Sequence, residues 1–429
     1  MKRLRKIAGY VLLAALQIAL VCLVVDVVFR KYESEYVYAH ASRDAAVYSL
    51  ETLLLNDHGD IVPKKKPPGE YRILVFGDSF TYAVTQPQYG FCAELERRLN
   101  AADPGRRIRV VNLGFPSISF PQYLERLYFW TQAIEYDAIL FNVYLGNDLN
   151  DVRDTPYDAK ALAASLGEVC RLGMAYGPYT LVPHQHWFRF MDFIKAKVLF
   201  KLQSDNELRR MLGLPDLERM GVLPDTADPR YRSLLPLTPA QLASEMRSHL
   251  RPYVPRTLFA YDNALPWFQQ LLAVAAGLEA AGRPVMVMLS PPLCAVSPAV
   301  RGQAARDLGV PEAEVDAALP GRVAAELAGR AGLSRDNLID LTPAFGDRTP
   351  AGEAAYTGVD THWSVAGNAW AGELAADCLA ARWFGRGDAA TACPRPAQAA
   401  ASVIPESRQT PAAPQKALAD AILAGCPAR

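Results

Sequence analysis

Cysteine, net charge and internal repetition are all scarce in this 429-residue chain. Seven cysteines without a Cys-x-x-Cys spacing do not make a disulfide scaffold and argue against a structural zinc site. The 45 basic residues balance the 45 acidic ones, so the basic surface of a nucleic-acid-binding protein is not expected. We therefore predict no bound metal, no cofactor and no nucleic-acid partner.

The longest apolar run lies at the N-terminus. The basic segment 1–6 precedes Ile7–Phe29, which only Gln17 and Asp26 interrupt. About 20 apolar residues cross a bilayer as a helix, and a preceding basic flank favours a cytoplasmic N-terminus. The segment Val21–Val25 lacks the small residues of a signal-peptidase site, and no small residue precedes Cys22 as a lipoprotein site would require. We predict an uncleaved, single-pass inner-membrane anchor (residues 1–30) with the remaining chain on the periplasmic side; a cleaved signal peptide is the alternative.

An extracytoplasmic location permits disulfide bonds. Because Cys22 lies in the apolar run, six cysteines remain available: Cys92, Cys170, Cys294, Cys378, Cys393 and Cys426. Their spacing does not indicate which of them pair, so the pairing stays open.

Strand-like and helix-like patterns alternate between residues 71 and 386. The predicted strands are Ile73–Phe76, Ile108–Leu113, Ala138–Leu145, Pro284–Leu289 and Asn337–Leu341. The predicted helices are Gly90–Asn100, Tyr123–Ala133, one starting near Pro266, Glu312–Gly332 with an interruption at Pro320-Gly321, and Val365–Ala381. Such alternation predicts an α/β fold with a parallel sheet and helices on both faces.

Three segments fall outside this alternation. Residues 31–70 are predicted to form a stalk or linker, and residues 150–256 an inserted cap with helices at Leu208–Leu214 and Pro239–Leu250. Residues 387–429 are rich in Ala and Pro and are predicted to be mostly disordered, with a short helix at Lys416–Leu423.

A serine follows the first predicted strand in Gly77-Asp78-Ser79. A serine in this position lies at the carboxyl edge of the sheet, where open α/β sheets bind ligands. The tight turn also directs backbone N–H groups towards whatever the serine attacks. The motif alone is a weak signal, because a serine after a strand is more often a cap or turn residue.

Other candidate residues follow the next strands or precede the last helix. Gly114 comes after the second strand, Asn147 and Asp148 after the third, and Asp360-Thr-His362 before the helix starting at Val365. Each has a structural explanation, as a turn glycine, a capping pair or a half-buried histidine. Their joint occurrence with a serine favours a catalytic site.

Nucleophilic chemistry explains why these residue types occur together. A serine hydroxyl needs a base to take its proton; His362 suits that role, and Asp360 can fix the tautomer of its ring. Preorganised donors must then stabilise the oxyanion, and the Ser79 and Gly114 N–H groups and the Asn147 amide are the candidates.

These motifs resemble the four sequence blocks of the SGNH/GDSL hydrolase family: Gly77-Asp-Ser-Phe80, Gly114, Gly146-Asn-Asp148 and Asp360-Thr-His362. The resemblance covers residues 72–381 and implies a flavodoxin-like three-layer α/β/α fold with a Ser79–His362–Asp360 triad. It also implies an oxyanion hole of Ser79, Gly114 and Asn147, with Asp78 and Asp148 in support.

The spacing of the acid and the histidine departs from many esterases of this family. One residue separates Asp360 from His362, where those enzymes have two. The Asp-Thr-His-Trp form is similar to the alginate O-acetyltransferase branch and its membrane-anchored relatives.

The predicted function is a serine-dependent esterase acting on acyl, above all acetyl, esters of an extracytoplasmic glycan through an acyl-Ser79 intermediate. One alternative is a glycan O-acetyltransferase supplied by a membrane acyl-donor protein; another is a non-catalytic glycan-binding module. The insertion is expected to lie over the site, with Trp187, Phe188 and Phe190 offering stacking surface. His184 and His186 are interpreted as incidental, and Asn147–Asp154 as a solvated acidic loop.

Overall fold

The computed structural model describes residues 53–55, 61–83, 85, 87–116, 118–172, 237–348, 355–357, 360–397, 402–405 and 412–425, together with positions 10, 17, 20, 21 and 24. No helix in this part of the chain is both long and apolar enough to cross a membrane. The predicted anchor Ile7–Phe29 lies almost wholly outside the described residues, and so do the predicted helix Leu208–Leu214 and the segment 184–190.

A five-stranded sheet forms the centre of the described fold. A small antiparallel hairpin, β1 (Leu53–Leu55) with β2 (Ile61–Pro63), precedes it. The sheet strands are β3 (Glu70–Gly77), β4 (Arg107–Asn112), β5 (Ala138–Tyr144), β6 (Val285–Ser290) and β7 (Leu338–Asp340). All neighbours are parallel. Every residue of β5 and β6 is buried, as expected for strands covered on both faces.

The order of the strands in the sheet indicates where a ligand is expected to bind. The sheet runs β4-β3-β5-β6-β7, which is the doubly wound order 2-1-3-4-5 when only these five strands are numbered. In such sheets the crossover direction reverses between the first and third strands, here β3 and β5, and ligands bind at the carboxyl ends beside that reversal. The residues that follow β3 and β5 therefore flank the expected site.

Helices surround this sheet. They are α1 (Ser79–Tyr82), α2 (Phe91–Ala102), α3 (Phe120–Ala133), α4 (Asp148–Asp151), α5 (Ala159–Leu172), α6 (Pro239–Leu250), α7 (Pro255–Leu258), α8 (Ala264–Ala280), α9 (Leu293–Val296), α10 (Pro298–Leu308), α11 (Leu319–Ala331), α12 (Leu341–Arg348), α13 (Val365–Phe384), α14 (Ala389–Ala392) and α15 (Ala412–Ala424). Short 3₁₀ turns occur at Pro87–Tyr89, Arg251–Tyr253, Phe259–Tyr261, Glu312–Glu314 and Arg335–Asn337.

Two groups of helices cover the sheet. Helix α2 packs against α13, whereas α8 contacts both α3 and α11. Right-handed crossovers on either side of the β3–β5 reversal put these groups on opposite faces. The predicted α/β architecture with a parallel sheet is confirmed.

The segment before β3 is docked on the domain, which corrects the prediction of a stalk as far as residue 70. The buried Arg72 guanidinium pairs with Glu70 at 2.6 Å and donates to the Pro63 carbonyl at 2.7 Å. Lys66 forms an ion pair with Asp137 at the start of β5. These contacts make residues 61–69 part of the globular unit.

Two local predictions in the C-terminal half are wrong. Pro320 lies in the first turn of α11 and so helps to begin a helix instead of interrupting one, because the first turn needs no proline N–H. Helix α12 replaces the loop expected after β7. The Asp340 carboxylate accepts a hydrogen bond from the Thr342 N–H at 3.0 Å, which satisfies a backbone donor at the start of that helix.

The described parts of the insertion are helical. Helix α6 has the predicted bounds Pro239–Leu250, and α5 was not predicted. Helix α6 begins with a capping box between Thr238 and Gln241, a signature visible in the sequence.

The tail after residue 387 is not mostly disordered where the structure describes it. Helix α15 packs against α8 and buries Leu418, Ala419 and Ile422. A Cβ on Gly277 of α8 would collide with Leu423, so glycine permits the close approach. A disulfide between Cys378 and Cys393 joins the tail to α13. The composition of the tail suggested disorder because its few large apolar side chains are separated by alanines.

We predict that Ile422→Ala lowers the free energy of unfolding by about 2–5 kcal/mol, because the Ile422 side chain is 3% exposed and its loss leaves a cavity against α8. Chemical denaturation of the full chain measures this. Asp420→Ala, on the exposed face of the same helix, is the control and should change stability by no more than about 0.5 kcal/mol. Equal, small effects of both substitutions would contradict the packing of α15.

Candidate active site

The turn from β3 into α1 is built around Gly77 and Asp78. Asp78 is fully buried, and its Oδ1 accepts a hydrogen bond from the Phe80 N–H at 2.9 Å, capping α1. A Cβ on Gly77 would collide with Thr81, so only glycine lets α1 fold back this tightly. Ser79 consequently becomes the first residue of α1, where a backbone N–H has no acceptor within the helix.

Two asparagines on β4 and β5, the strands that flank β3, hold α1 in place. Asn112 Nδ2 donates to the Thr81 carbonyl at 2.8 Å, and Asn142 Nδ2 donates to Thr81 Oγ1 at 3.0 Å. Ser290 on β6 in turn donates to Asn142 Oδ1 at 2.5 Å. Sequence reasoning missed this network, although one polar residue inside the apolar run Ala138–Leu145 was a signal.

A short loop before α13 presents the histidine. An antiparallel bridge between Tyr356 and Trp363 closes it, and the Thr357 N–H donates to the His362 carbonyl at 2.9 Å. Asp360 Oδ1 accepts from Thr357 Oγ1 at 2.6 Å and from the His362 N–H at 2.8 Å. These two hydrogen bonds hold the Asp360 carboxylate in place independently of its contact with the imidazole ring.

Ser79, His362 and Asp360 meet in a hydrogen-bonded chain. His362 Nδ1 lies 3.0 Å from Asp360 Oδ2, and His362 Nε2 lies 2.8 Å from Ser79 Oγ. The carboxylate favours a proton on Nδ1, which leaves Nε2 as acceptor for the serine hydroxyl. Burial opposes ionisation of Asp360, but the charge of His362 and hydrogen bonds from His362 and Thr357 outweigh it and lower the pKa of that carboxyl.

Aromatic rings support the imidazole from one side. The Phe80 ring stacks on His362 with centroids 5.1 Å apart and on Tyr144 at 3.7 Å. Trp363, next to the histidine, meets Phe80 edge-on at 5.1 Å. Because Phe80 directly follows Ser79, its ring contacts connect the turn that carries Ser79 with the loop that carries His362.

Asp148 fixes the turn after β5. Its Oδ2 accepts from the Tyr144 N–H at 2.8 Å, and both carboxylate oxygens lie 2.9 Å from the Tyr123 hydroxyl. Its backbone carbonyl accepts from the Ser119 hydroxyl at 2.6 Å. Asp148 therefore holds the neighbouring Asn147 in position, a supporting role that does not need contact with a ligand.

Asn147 faces the site. It lines the same cleft as Ser79 and His362, and its Oδ1 is buried without a hydrogen-bond partner among the described residues. The side-chain oxygen of Asn147 is therefore not used to hold its own turn.

Gly114 differs from the other proposed oxyanion donors. Its N–H donates to Asn112 Oδ1 at 2.9 Å, and Gly114 is not among the residues that line the cleft. A Cβ there would lie 2.5 Å from the Tyr82 nitrogen. In this structure Gly114 allows close packing under α1, and its N–H is already engaged.

A cleft of about 580 Å³ opens over the serine. Its lining residues are Ser79, Phe80, Ser119, Pro121, Gln122, Asn147, Asp151, Val152, Thr155, Glu245, His249, Thr361 and His362. Five of them, from Asp151 to His249, belong to the predicted insertion 150–256. The described part of the insertion therefore does border the site, whereas the expected stacking residues lie outside the described chain.

Buried carboxyl groups surround the base of the site. Burial raises the pKa of Asp78 to about 7, against the Phe80 N–H hydrogen bond and the charge of His362. Burial, reinforced by the charge of Asp78, also raises the pKa of Asp148. These groups hold protons in the folded state at pH values where the unfolded chain has released them.

This proton retention predicts a pH-dependent stability. Between pH 4 and about 7 the folded state binds more protons at Asp78 than the unfolded state, so the free energy of unfolding falls as pH rises through that window. Asp78→Asn cannot titrate and should show a shallower fall. Denaturant titrations of both proteins from pH 4.5 to 8 measure the slope, and equal slopes would contradict the prediction.

Comparisons with known proteins do not assign this site. No protein-family model matches the chain, and no curated protein is significantly similar to it.

Proposed function

We propose that the protein is a serine-dependent hydrolase of acyl esters that works through an acyl-Ser79 intermediate. The observation that carries this proposal is the hydrogen-bonded chain from Ser79 Oγ through the His362 ring to Asp360, with distances of 2.8 and 3.0 Å. Of these hydrogen-bonded side chains, Ser79 and His362 border a cleft at the carboxyl edge of the sheet, where a substrate can reach Ser79.

In the first step, Ser79 Oγ attacks the acyl carbon while its proton passes to His362 Nε2. The ester C–O bond then breaks, and the alcohol leaves with the proton from His362. Asp360 stabilises the imidazolium formed between these events. The lowered pKa of Asp360 keeps its carboxylate ionised for that role.

The oxyanion is stabilised at the β3–β5 reversal. The Ser79 N–H points from the first turn of α1, and the Asn147 amide comes from the turn after β5. Each such donor contributes about 10²- to 10³-fold to kcat in comparable enzymes. Gly114 becomes a third donor only if a ligand displaces the hydrogen bond from its N–H to Asn112. We therefore propose Gly114 as the weakest of the three oxyanion donors.

In the second step, water attacks the acyl carbon, gives its proton to His362, and the Ser79 Oγ–carbon bond breaks with return of that proton to serine. If a sugar hydroxyl replaces water, the same site transfers the acyl group. The polar lining of the cleft suits such an acceptor. An O-acetyltransferase is therefore the second candidate, with acyl groups supplied by a membrane partner.

We further propose that the chain belongs to the SGNH/GDSL family. The strand order 2-1-3-4-5 and the positions of Ser79, Asn147 and the Asp360–His362 pair around its reversal point support this assignment. The proposed location is the periplasmic face of the inner membrane, anchored through Ile7–Phe29, and the proposed substrates are acylated, above all acetylated, glycans. The composition of the N-terminal run supports the location.

We predict that Ser79→Ala and His362→Ala each reduce kcat with 4-nitrophenyl acetate by roughly 10⁶, because each leaves the nucleophile–base unit incomplete. Asp360→Asn should cost roughly 10⁴, since the base remains in a poorly held tautomer. Asn147→Ala should cost roughly 10²–10³ as a single oxyanion donor. Stopped-flow and steady-state hydrolysis measure these losses.

A fluorophosphonate probe provides the independent readout. It should label the wild type at Ser79 alone and label His362→Ala far more slowly. The exposed Ser334, replaced by alanine, is the control and should leave both turnover and labelling unchanged. A wild type that neither reacts with the probe nor hydrolyses the ester would point to the binding-module alternative. Addition of sugar acceptors, with the products analysed, separates hydrolysis from acyl transfer.

A further inference from the structure

A second group of polar side chains lies in the cleft beyond the triad. His249 of α6 contacts Glu245 one turn earlier, with Nε2 and Oε2 3.4 Å apart. Its other nitrogen, Nδ1, lies 3.3 Å from the Tyr144 hydroxyl. With a proton on Nε2, the ring donates to Glu245 and accepts from Tyr144, so both of its nitrogens are occupied and the ring serves to fix the carboxylate.

Stacked rings set the position of this group relative to the nucleophile. His362 stacks on Phe80, Phe80 stacks on Tyr144, and the edge of Tyr144 meets His249 at 5.5 Å between centroids. Two rings thus separate His249 from the catalytic-site histidine. Glu245 lines the same cleft and therefore faces the part of a substrate that extends beyond the reacting ester.

A second carboxylate joins Glu245. Asp151 ends α4 and lines the cleft. Although Asp151 is accessible to solvent, the enclosing cleft withdraws part of its hydration, and this, together with the charge of Glu245, raises the pKa of Asp151 to about 6. The hydrogen bond from His249 lowers the pKa of Glu245 despite its partial burial. Both groups are therefore negative at pH 8.

The described lining of the cleft includes two carboxylates but no lysine and no arginine. Among these described residues only His249, which contacts Glu245, accompanies the acidic pair, Asp151 and Glu245. Arg153, two residues after Asp151, pairs instead with Asp154 at 2.7 Å. Arg247, two residues after Glu245, is exposed and donates to the Ser244 hydroxyl at 3.4 Å.

We propose that the acidic pair selects the alcohol portion of the ester by charge, accepting cationic and neutral alcohols and rejecting anionic ones. This inference rests on the proposed function, because it assigns the acidic pair to the leaving-group or acceptor side of the same site. It excludes uronic acids and phosphorylated sugars as preferred substrates. Carboxylates also accept hydrogen bonds from sugar hydroxyls and amines, so neutral sugars and amino sugars fit the cleft.

Three acetyl esters of matched shape test the charge selection: acetylcholine, its uncharged isostere 3,3-dimethylbutyl acetate, and the anionic 2-acetoxyethanesulfonate. At pH 8 and low salt, the full-length chain should hydrolyse the cationic ester with a kcat/KM at least about tenfold above that of the anionic one. The ratio should shrink as salt is added. A ratio of one, or a preference for the sulfonate, overturns the inference and leaves the esterase proposal intact.

Isosteric variants assign the effect to the acidic pair. Glu245→Gln and Asp151→Asn should each reduce the cation-to-anion ratio by about threefold to tenfold, and the double variant should remove most of it. Asp154→Asn removes the same charge from an exposed side chain beside the cleft that pairs with Arg153, and it is the matched control with an unchanged ratio. Equal effects of all three single variants would mean that net charge, not the acidic pair, is responsible.

A binding measurement keeps this inference separate from catalysis. Saturation-transfer NMR with the full-length Ser79→Ala variant compares choline, 3,3-dimethylbutanol and 2-hydroxyethanesulfonate, none of which needs to react. Choline should bind and the sulfonate should not, with the difference lost in Ser79→Ala combined with Glu245→Gln and Asp151→Asn. If choline binds selectively to the Ser79→Ala variant but the wild type hydrolyses no ester, the proposed hydrolase activity alone is overturned. If the three alcohols bind without a charge preference, the charge-selection inference alone is overturned.

Discussion

The candidate site depends on the seating of a single four-residue helix. Helix α1 is too short to be stable on its own, yet its first residue must hold the serine hydroxyl within 2.8 Å of an imidazole that comes from 283 residues further along the chain. Hydrogen bonds from Asn112 and Asn142 to Thr81 supply the rigidity. Because both asparagines belong to strands of the same sheet, the position of the serine is set by the sheet itself.

The second constraint is the burial of carboxyl groups beneath the reacting atoms. Asp78 caps α1 and Asp148 holds the turn after β5, and both are wholly buried. Buried carboxyls are costly unless they are hydrogen-bonded or protonated. Asp148 meets that cost through Tyr123 and Tyr144, whereas one oxygen of Asp78 has no partner among the described residues. The site is thus positioned by groups that favour the protonated state, which links its stability to pH.

The cleft has two sides that differ in charge. One side carries Ser79 and His362, and the insertion contributes the acidic pair, of which Glu245 is held by His249. The ring sequence His362, Phe80, Tyr144 and His249 connects the two sides through packed contacts. Under the proposed function, a change in the insertion would alter which alcohol is accepted without altering Ser79, His362 or Asp360, since none of these three residues belongs to the insertion.

The sequence by itself determined the α/β class, most strand positions and the three residues of the Ser79–His362–Asp360 hydrogen-bonded chain. It could do so because buried parallel strands are continuous apolar runs, and because Ser79 directly follows such a run while Asp360 and His362 come just before a helix. Helix α6 was predicted with its bounds from its capping residues and periodicity. These signals are local, so they survive without knowledge of the neighbours.

Only the tertiary structure decided which groups are free to act. Gly114 looked like an oxyanion donor, but Asn112 engages its N–H, a contact that depends on how the chain folds back after β4. The tail looked disordered, although Leu418 and Ile422 find an apolar partner in α8. Glu245 and His249 carried no motif, and their place opposite Asp151 arises because the insertion returns to the sheet edge. Contacts of this kind join residues far apart in the chain, so their physical cause is the packing of the fold and not any pattern along it.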